Sequence, residues 1–322
     1  MEMNRKVWAV LLLFLGLFGI LFISAYLYIT DTNNKDKEYK ISVIVYGNNS
    51  DRWTNLKQGI DVGAAEYSAQ VNFVTMTTEH DYKEQKRLLE REIANGADGI
   101  ILAATDSKAM VNAVKEANSK LPVVMVETNV EGIKGVHYVS ADNYSMGLNA
   151  GRSVILDSDS SSKIAVLMEN HQRNSVKERF DGFMDSLKFY GYTIELWERE
   201  NMDTDLTDFI QDKMEESNAD IIVALDDNTL EAVFDALNTN DTVVDIYGIG
   251  STNKIIHNLD YGRIQSIVFQ NEFNMGYLSV QELFNEKKGP EDSRVTEVEF
   301  RTINRETMYS PKNQRLIFPI IQ

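Results

Sequence analysis

The 322-residue chain sets 32 Lys and Arg against 49 Asp and Glu, a formal net charge of −17, and has no cysteine. That acid excess excludes a nucleic-acid surface, which needs clustered cations to release counterions from phosphates. The missing thiols exclude disulfides, thiolate metal sites, a cysteine nucleophile and a lipid-modified cysteine anchor. With 43% hydrophobic and 25% charged residues, the composition is that of a folded domain, and the length suits one membrane segment plus a two-lobed body.

In chain order, Arg5 and Lys6 precede an apolar run from Val7 to Ile29, long enough for a bilayer core that takes about 20 residues. A cleavable signal has a shorter apolar core, of about 7–15 residues, before a small-x-small site. Here Ile23 stands two places before Ala25, and Tyr26 and Tyr28 continue the apolar run. The expectation is an uncleaved transmembrane anchor over residues 1–30, with a cleaved signal peptide as the alternative. The positive-inside rule then puts the N-terminus in the cytoplasm and the rest outside the cell membrane. Residues 31–40 are polar and glycine-free and read as a short tether.

Beyond the tether, apolar runs predict strands at Ile41–Tyr46, Val71–Met76, Gly99–Ala103, Val123–Glu127, Ile164–Met168, Ile221–Leu225, Val243–Ile249 and Ile264–Val268. Between them, helical patterns fall at Trp53–Tyr67, Tyr82–Asn95, Lys108–Ser119, Ser145–Leu156, Val176–Tyr190, Leu206–Glu215, Thr229–Leu237 and Glu272–Asn285. This alternation predicts an α/β fold with parallel sheets covered by helices on both faces. Two sheets of five or six strands suit the length better than one of eight. Asp81, Asp106, Asp142, Asp203 and Asp227 stand at helix starts as N-cap candidates. "ANGAD" (Ala94–Asp98) and "ESNAD" (Glu216–Asp220) each close a helix and lead into a strand, a hint of two similar halves. The C-terminal "SPKNQRLIFPIIQ" is expected to return as a final edge strand containing Pro319.

No catalytic constellation emerges, and the expectation is a protein that is not an enzyme, without cofactor or metal. His80, His137, His171 and His257 have no metal-ligand spacing, no G-x-S-x-G elbow is present, and "GIGSTN" (Gly248–Asn253) lacks the P-loop lysine. It reads as a strand-to-helix turn. What remains is polar and aromatic residues at strand C-termini, where open α/β sheets bind ligands. After the first strand come Tyr46, Asn48, Asn49, Ser50, Arg52 and Trp53, and after the fourth Glu127, Thr128 and Asn129. The second half offers Asn170, His171, Gln172 and Arg179, then Asp226 and Asp227, Ser251, and Gln270 and Asn271. Carboxylates, amides and a guanidinium suit directed bonds to hydroxyls, and an aromatic face suits a C–H surface. That mixture fits a sugar.

From about Ile41 to Ile303 the sequence resembles the type I periplasmic binding protein family, the ribose-binding group in particular. The marks are "NNSDRWTNLKQGIDVGAAEY", "IANGADGIILAATDSKAMVNAVKEAN", "LPVVMVET", "VSADNYSMGLNAGR", "SVKERFDGF", "ALDDNTLEAVFDAL" and "IYGIGST". The resemblance implies two Rossmann-like lobes joined by three crossovers near Ala141–Asn143, Phe269–Gln270 and Arg301–Ile303. It divides the body into a first lobe, 41–141 plus 271–301, and a second, 142–270 plus 302–322. It also implies that Trp53 stacks on a sugar ring, that Arg179, Asp226 and Gln270 bind hydroxyls, and that Ser50 stands where an Asn commonly binds. Two departures bear on the ligand. Glu127-Thr128 replaces the Asp-Arg pair of ribose binders, and Gly250 replaces the Asp of their "GFDG"-like turn, so ribose is not the expected sugar, and a larger or differently substituted sugar, or a non-sugar ligand, stays open. The family implies a partner in the membrane, an ABC importer permease or a sensor histidine kinase. A ligand-less interaction module and, less favoured, an extracellular enzyme are the alternatives.

Overall fold

Runs such as Ile41–Val45 and Ile221–Val223, apolar on both faces of an extended chain, must be covered on both sides, so they belong at the centre of helix-sandwiched sheets. In the computed structural model, which describes residues 15–25, 38–47, 51–199, 204–237, 243–285 and 294–318, they do. The chain divides into two units, Met1–Tyr39 and Lys40–Gln322. In the first, residues 15–25 are helical. Among the described residues no helix is long and apolar enough to cross a membrane. The remainder of the expected Val7–Ile29 span and most of the tether lie outside the described residues.

The described residues of the second unit contain twelve strands: β1 Lys40–Val45, β2 Gln70–Thr75, β3 Gly99–Leu102, β4 Val123–Val126, β5 His137–Ser140, β6 Lys163–Leu167, β7 Thr193–Trp197, β8 Ile221–Ala224, β9 Asp245–Ile249, β10 Ser266–Gln270, β11 Val295–Glu297 and β12 Phe300–Ile303. They form two six-stranded sheets, ordered β11-β5-β4-β3-β1-β2 and β12-β10-β9-β8-β6-β7. The first is parallel throughout. In the second, only the β10–β12 pair is antiparallel. This is a two-lobed α/β fold, each sheet with its own buried cluster. The chain passes between sheets after β5, after β10 and between β11 and β12. The last passage therefore precedes Phe300, and Phe300 and Arg301 pair with the second sheet.

The strand order of one lobe repeats that of the other, and the two similar pentapeptides occupy matching places. Asp98 accepts from the Lys40 amide at 3.1 Å and returns its own amide to the Lys40 carbonyl. Asp220 does the same for Lys163, accepting at 2.8 Å. Each Asp thus ties the start of its lobe's first strand to the neighbouring strand. Glycines repeat the parallel in the helices. A Cβ on Gly59 would stand 1.9 Å from the Phe273 carbonyl oxygen, and one on Gly147 1.9 Å from that of Arg179. Their absence lets helix Thr54–Glu66 lie on Glu272–Phe284 and helix Asn143–Asp157 lie on Asn174–Leu187 backbone to backbone.

Several expectations are corrected. β7 and β5 were not expected, because TIELW alternates and HYVS carries polar residues, so neither is an apolar run. The C-terminal segment forms helix Pro311–Ile317, not a strand; Ser310 and Pro311 make a favoured Ncap–N1 start. Pro319 lies outside the described residues. The cap before Leu206 is Asp205, with Asp203 outside the described residues, and the cap of the 227–237 helix is Asp226, whose Oδ1 accepts from the Thr229 amide at 2.8 Å. Asp227 is thereby left for other partners.

Candidate functional site

The C-terminal edges of the two sheets face one another, and the segments leaving the strands there build the space between them. A narrow cleft with a cavity of about 30 Å³ is lined from the first lobe by Tyr46, Gly47, Arg52, Trp53 and Glu79, and from the second by Arg173, Asp226, Asp227, Asn228, Glu231 and Thr252. Such a cavity holds about one water, so the space between the walls is filled by the protein's own side chains. Tyr46 and Arg52 follow β1, beside the β1/β3 point where the strand order reverses, and Asp226 follows β8 at the matching point of the other sheet. Open α/β sheets bind at such points.

Three guanidiniums organise the cleft. Arg179, buried, donates from Nη2 to Glu127 Oε1 at 2.9 Å, from Nε to Asn143 Oδ1 at 2.8 Å and from Nη1 to the Leu225 carbonyl at 3.2 Å. Glu127 stands directly after β4 at φ 60, a left-handed conformation that costs a non-glycine residue about 1–3 kcal/mol unless its surroundings hold it. Tyr46 Oη donates to its Oε2 at 2.8 Å, and the Tyr138 hydroxyl donates to its carbonyl at 2.7 Å. Burial, then the Glu127 charge, raises the Tyr46 hydroxyl well above its ordinary pKa, so Tyr46 stays a neutral donor.

Arg52 pairs with Asp227 across the cleft at 2.9 Å and with Glu272 at 2.6 Å. Burial opposes its charge, but Asp227 and Glu272 prevail and raise its pKa. Asp227 also accepts from the Ser251 amide at 2.8 Å, and a Cβ at position 250 would come within 2.7 Å of Asp227 Oδ1. Gly250, where the resemblance leads one to expect an Asp, thus makes room for Asp227. The Glu272 ion pair alone would hold that carboxyl low; burial, with Asp227 beside it, outweighs the pair and pushes it up to about 7.

Arg173, 1% exposed, ion-pairs with Glu79 of the opposite lobe and lies over the Tyr46 ring, 3.5 Å from its centroid. Trp53, also 1% exposed, meets the Tyr46 ring edge-on at 4.9 Å, donates from Nε1 to the Tyr46 carbonyl and carries Arg52 4.4 Å over its own ring. Asn170 donates to Asp226 Oδ2 at 2.7 Å, while Asn170 Oδ1 and Arg173 Nε are buried without a hydrogen-bond partner among the described residues. The cleft therefore offers carboxylates, guanidiniums, an amide acceptor and aromatic rings, a set made for multiple directed hydrogen bonds rather than bond making.

Of the residues singled out in the sequence, Tyr46, Arg52, Trp53, Asp226 and Asp227 line the cleft. Glu127 and Arg179 lie directly behind Tyr46. Thr128 donates to Asn174 Oδ1 at 2.9 Å in a separate interlobe contact, and Gln270 accepts from the Ala141 amide at 3.4 Å, joining two of the passages between lobes. Ser50 lies outside the described residues. His171 is exposed. Glu79, Arg173 and Glu272 were missed. The first two had a signal: Glu79 follows β2, and Arg173 is the next residue after the Asn170–Gln172 strand end.

The family model described as "periplasmic binding protein domain" matches residues 41–291. The ribose import binding protein RbsB of Bacillus subtilis is 23% identical over 257 residues, 78% of this chain and 82% of that protein. A carbohydrate transporter solute binding protein from Agrobacterium radiobacter, solved with D-arabinose, superposes with a TM-score of 0.78 at 20% identity, covering 88% of this chain and 100% of its own. A XylFII–LytSN complex includes a chain with a TM-score of 0.72 at 21% identity, covering 84% of this chain and 98% of that one. The structural likenesses establish a shared fold.

Proposed function

The chain belongs to the periplasmic binding protein domain family, and from that premise we propose that it is an extracytoplasmic solute-binding protein that captures a carbohydrate between its lobes and presents the closed form to a membrane partner. The observation that carries this is the cleft itself, where Tyr46, Arg52 and Trp53 of one lobe face Arg173, Asp226 and Asp227 of the other. A ligand touching both walls favours the closed state by its differential affinity. The proposed ligand-binding set is Tyr46, Ser50, Arg52, Trp53, Glu127, Thr128, Arg179, Asp226 and Gln270; Tyr46, Arg52, Trp53 and Asp226 line the cleft, Glu127 and Arg179 support Tyr46 from behind, and Thr128 and Gln270 act where the lobes join. The lobes are taken as 41–141 plus 271–301 and 142–270 plus 302–322, adjusted so that Phe300 and Arg301 go with the second sheet. The relatives support a sugar: one is named for ribose import and another was solved with D-arabinose.

The N-terminal apolar run is proposed to anchor the chain in the cell membrane, N-terminus inside. The partner is an ABC importer permease or a sensor kinase; the ribose-import relative supports the first, and the XylFII–LytSN complex supports a binding-protein assembly of another kind. The test is thermal unfolding of the full chain against pentoses, hexoses, disaccharides, autoinducer furanosides and nucleosides. A ligand at about 100 times its Kd adds about 2.7 kcal/mol, which raises the midpoint by several degrees. One sugar is expected to do so. No shift from any sugar contradicts the reading.

A further inference from the structure

Beside the cleft stands a larger cavity, of about 270 Å³ against about 30 Å³ between the cleft's own walls. A cavity of about 150 Å³ is enough to hold a benzene ring. Arg52 and Thr252 line both spaces, so each can touch what fills either one. The rest of the polar lining is neutral: Thr54, Asn55 and Gln58 come from the first lobe, Ser251 and Asn253 from the second. Among the described residues, the side-chain amides of Asn55, Gln58 and Asn253 have no hydrogen-bond partner, although Asn55 and Gln58 are half-buried. Amides left unpaired on one cavity wall can both donate to hydroxyls and accept from them. Phe318, 49% exposed, adds an aromatic ring to the lining, the surface that suits the C–H face of a sugar.

The charges narrow the ligand class. Arg52 and Glu272, the charged residues of this lining, pair with each other at 2.6 Å, and Arg52 also takes Asp227. Among the described residues the lining therefore offers no unpaired cation to a phosphate or carboxylate, and a neutral polyhydroxyl ligand fits it best. We propose that this cavity is a second carbohydrate subsite, and that the ligand is a neutral oligosaccharide, a disaccharide or longer, with one unit in the cleft and the next against Asn55, Gln58 and Phe318. The proposal rests on the binding reading above and names its ligand class. Both lobes line this cavity, as they do the cleft, so the second unit adds to the differential affinity that favours closure. A monosaccharide in the cleft forgoes that part.

The test is calorimetric titration of the full chain in detergent with xylose, arabinose, glucose and galactose, and with xylobiose, arabinobiose, cellobiose, maltose and lactose. The wild type is compared with the double variant Asn55→Ala/Gln58→Ala and with Phe318→Ala. The amides have no partner to lose and Phe318 is half exposed, so the melting temperature of the sugar-free variants is expected to match the wild type. The expected result is a disaccharide that binds the wild type about tenfold or more tighter than either component sugar. Each variant should remove most of that gain and leave monosaccharide affinity unchanged. Monosaccharides that bind as tightly as their disaccharides, a gain that survives either substitution, or a loss shared equally by mono- and disaccharides would overturn the second subsite and leave the sugar-binding reading standing. No binding by any of these sugars would overturn both.

Discussion

At Glu127 a carboxylate and a strained backbone meet in one residue. Its left-handed φ is offset by the Tyr138 hydroxyl on its carbonyl and by Tyr46 and Arg179 on its carboxylate. Glu127→Ala strands the buried Arg179 charge, and breaking a buried pair from one side costs about 3–5 kcal/mol. The expected outcome is a large drop in the urea midpoint together with lost sugar binding, checked by denaturant titration and calorimetry. Glu272 is different. Its carboxyl titrates near 7 in the folded protein against about 4.3 in an unfolded chain. The folded state therefore holds the extra proton between those values: the stability this lends is complete below about pH 4, falls as pH rises and is lost through about pH 7, by at most about 4 kcal/mol. Glu272→Gln should remove that slope, so that the melting-temperature difference, variant minus wild type, grows from about pH 5 to about pH 8. At this scale the sequence was legible where a residue at or behind the cleft directly follows an apolar strand, as Tyr46, Glu127 and Asp226 do. Glu272 was hidden because nothing local marks it; its place depends on Arg52, 220 positions away.

At the scale of elements, the approach of helix Asn143–Asp157 to Asn174–Leu187 sets where Arg179 stands, because Gly147 touches the Arg179 backbone itself. A methyl group there meets a carbonyl oxygen at 1.9 Å, with no flexible side chain to yield. Gly147→Ala is expected to cost at least about 1–3 kcal/mol as overpacking and to weaken sugar binding by displacing Arg179; thermal melts and titration check both. The same substitution at Gly96, where an added Cβ meets nothing but φ is +86, should cost stability without touching binding. Apolar periodicity revealed the central strands because they are buried on both faces. It missed β7, whose outer face is exposed, and the short β11 and β12, whose positions come from pairing across the chain rather than from their own residues.

For the whole molecule, two lobes of matching strand order were foreshadowed by the paired "NAD"-like endings at Asp98 and Asp220, which turn out to clamp equivalent strands. What no local pattern revealed is that the cleft charges neutralise one another across the lobes: Arg52 with Asp227, Arg173 with Glu79 and Arg179 with Glu127. Closure should accordingly be salt-sensitive at the partly solvated Arg173–Glu79 pair and much less so at the buried Arg179–Glu127 pair, since buried charges are screened little. Amide hydrogen exchange of the full chain, with and without a saturating mixture of pentoses and hexoses, tests sugar capture between the lobes most directly. Slowed exchange at the strand ends, around 46–47 and 51–53, 127–129, 170–179 and 226–228, with the outer helices unchanged, is the predicted result. Unchanged exchange at those segments, or protection confined to a surface away from the cleft, would contradict it.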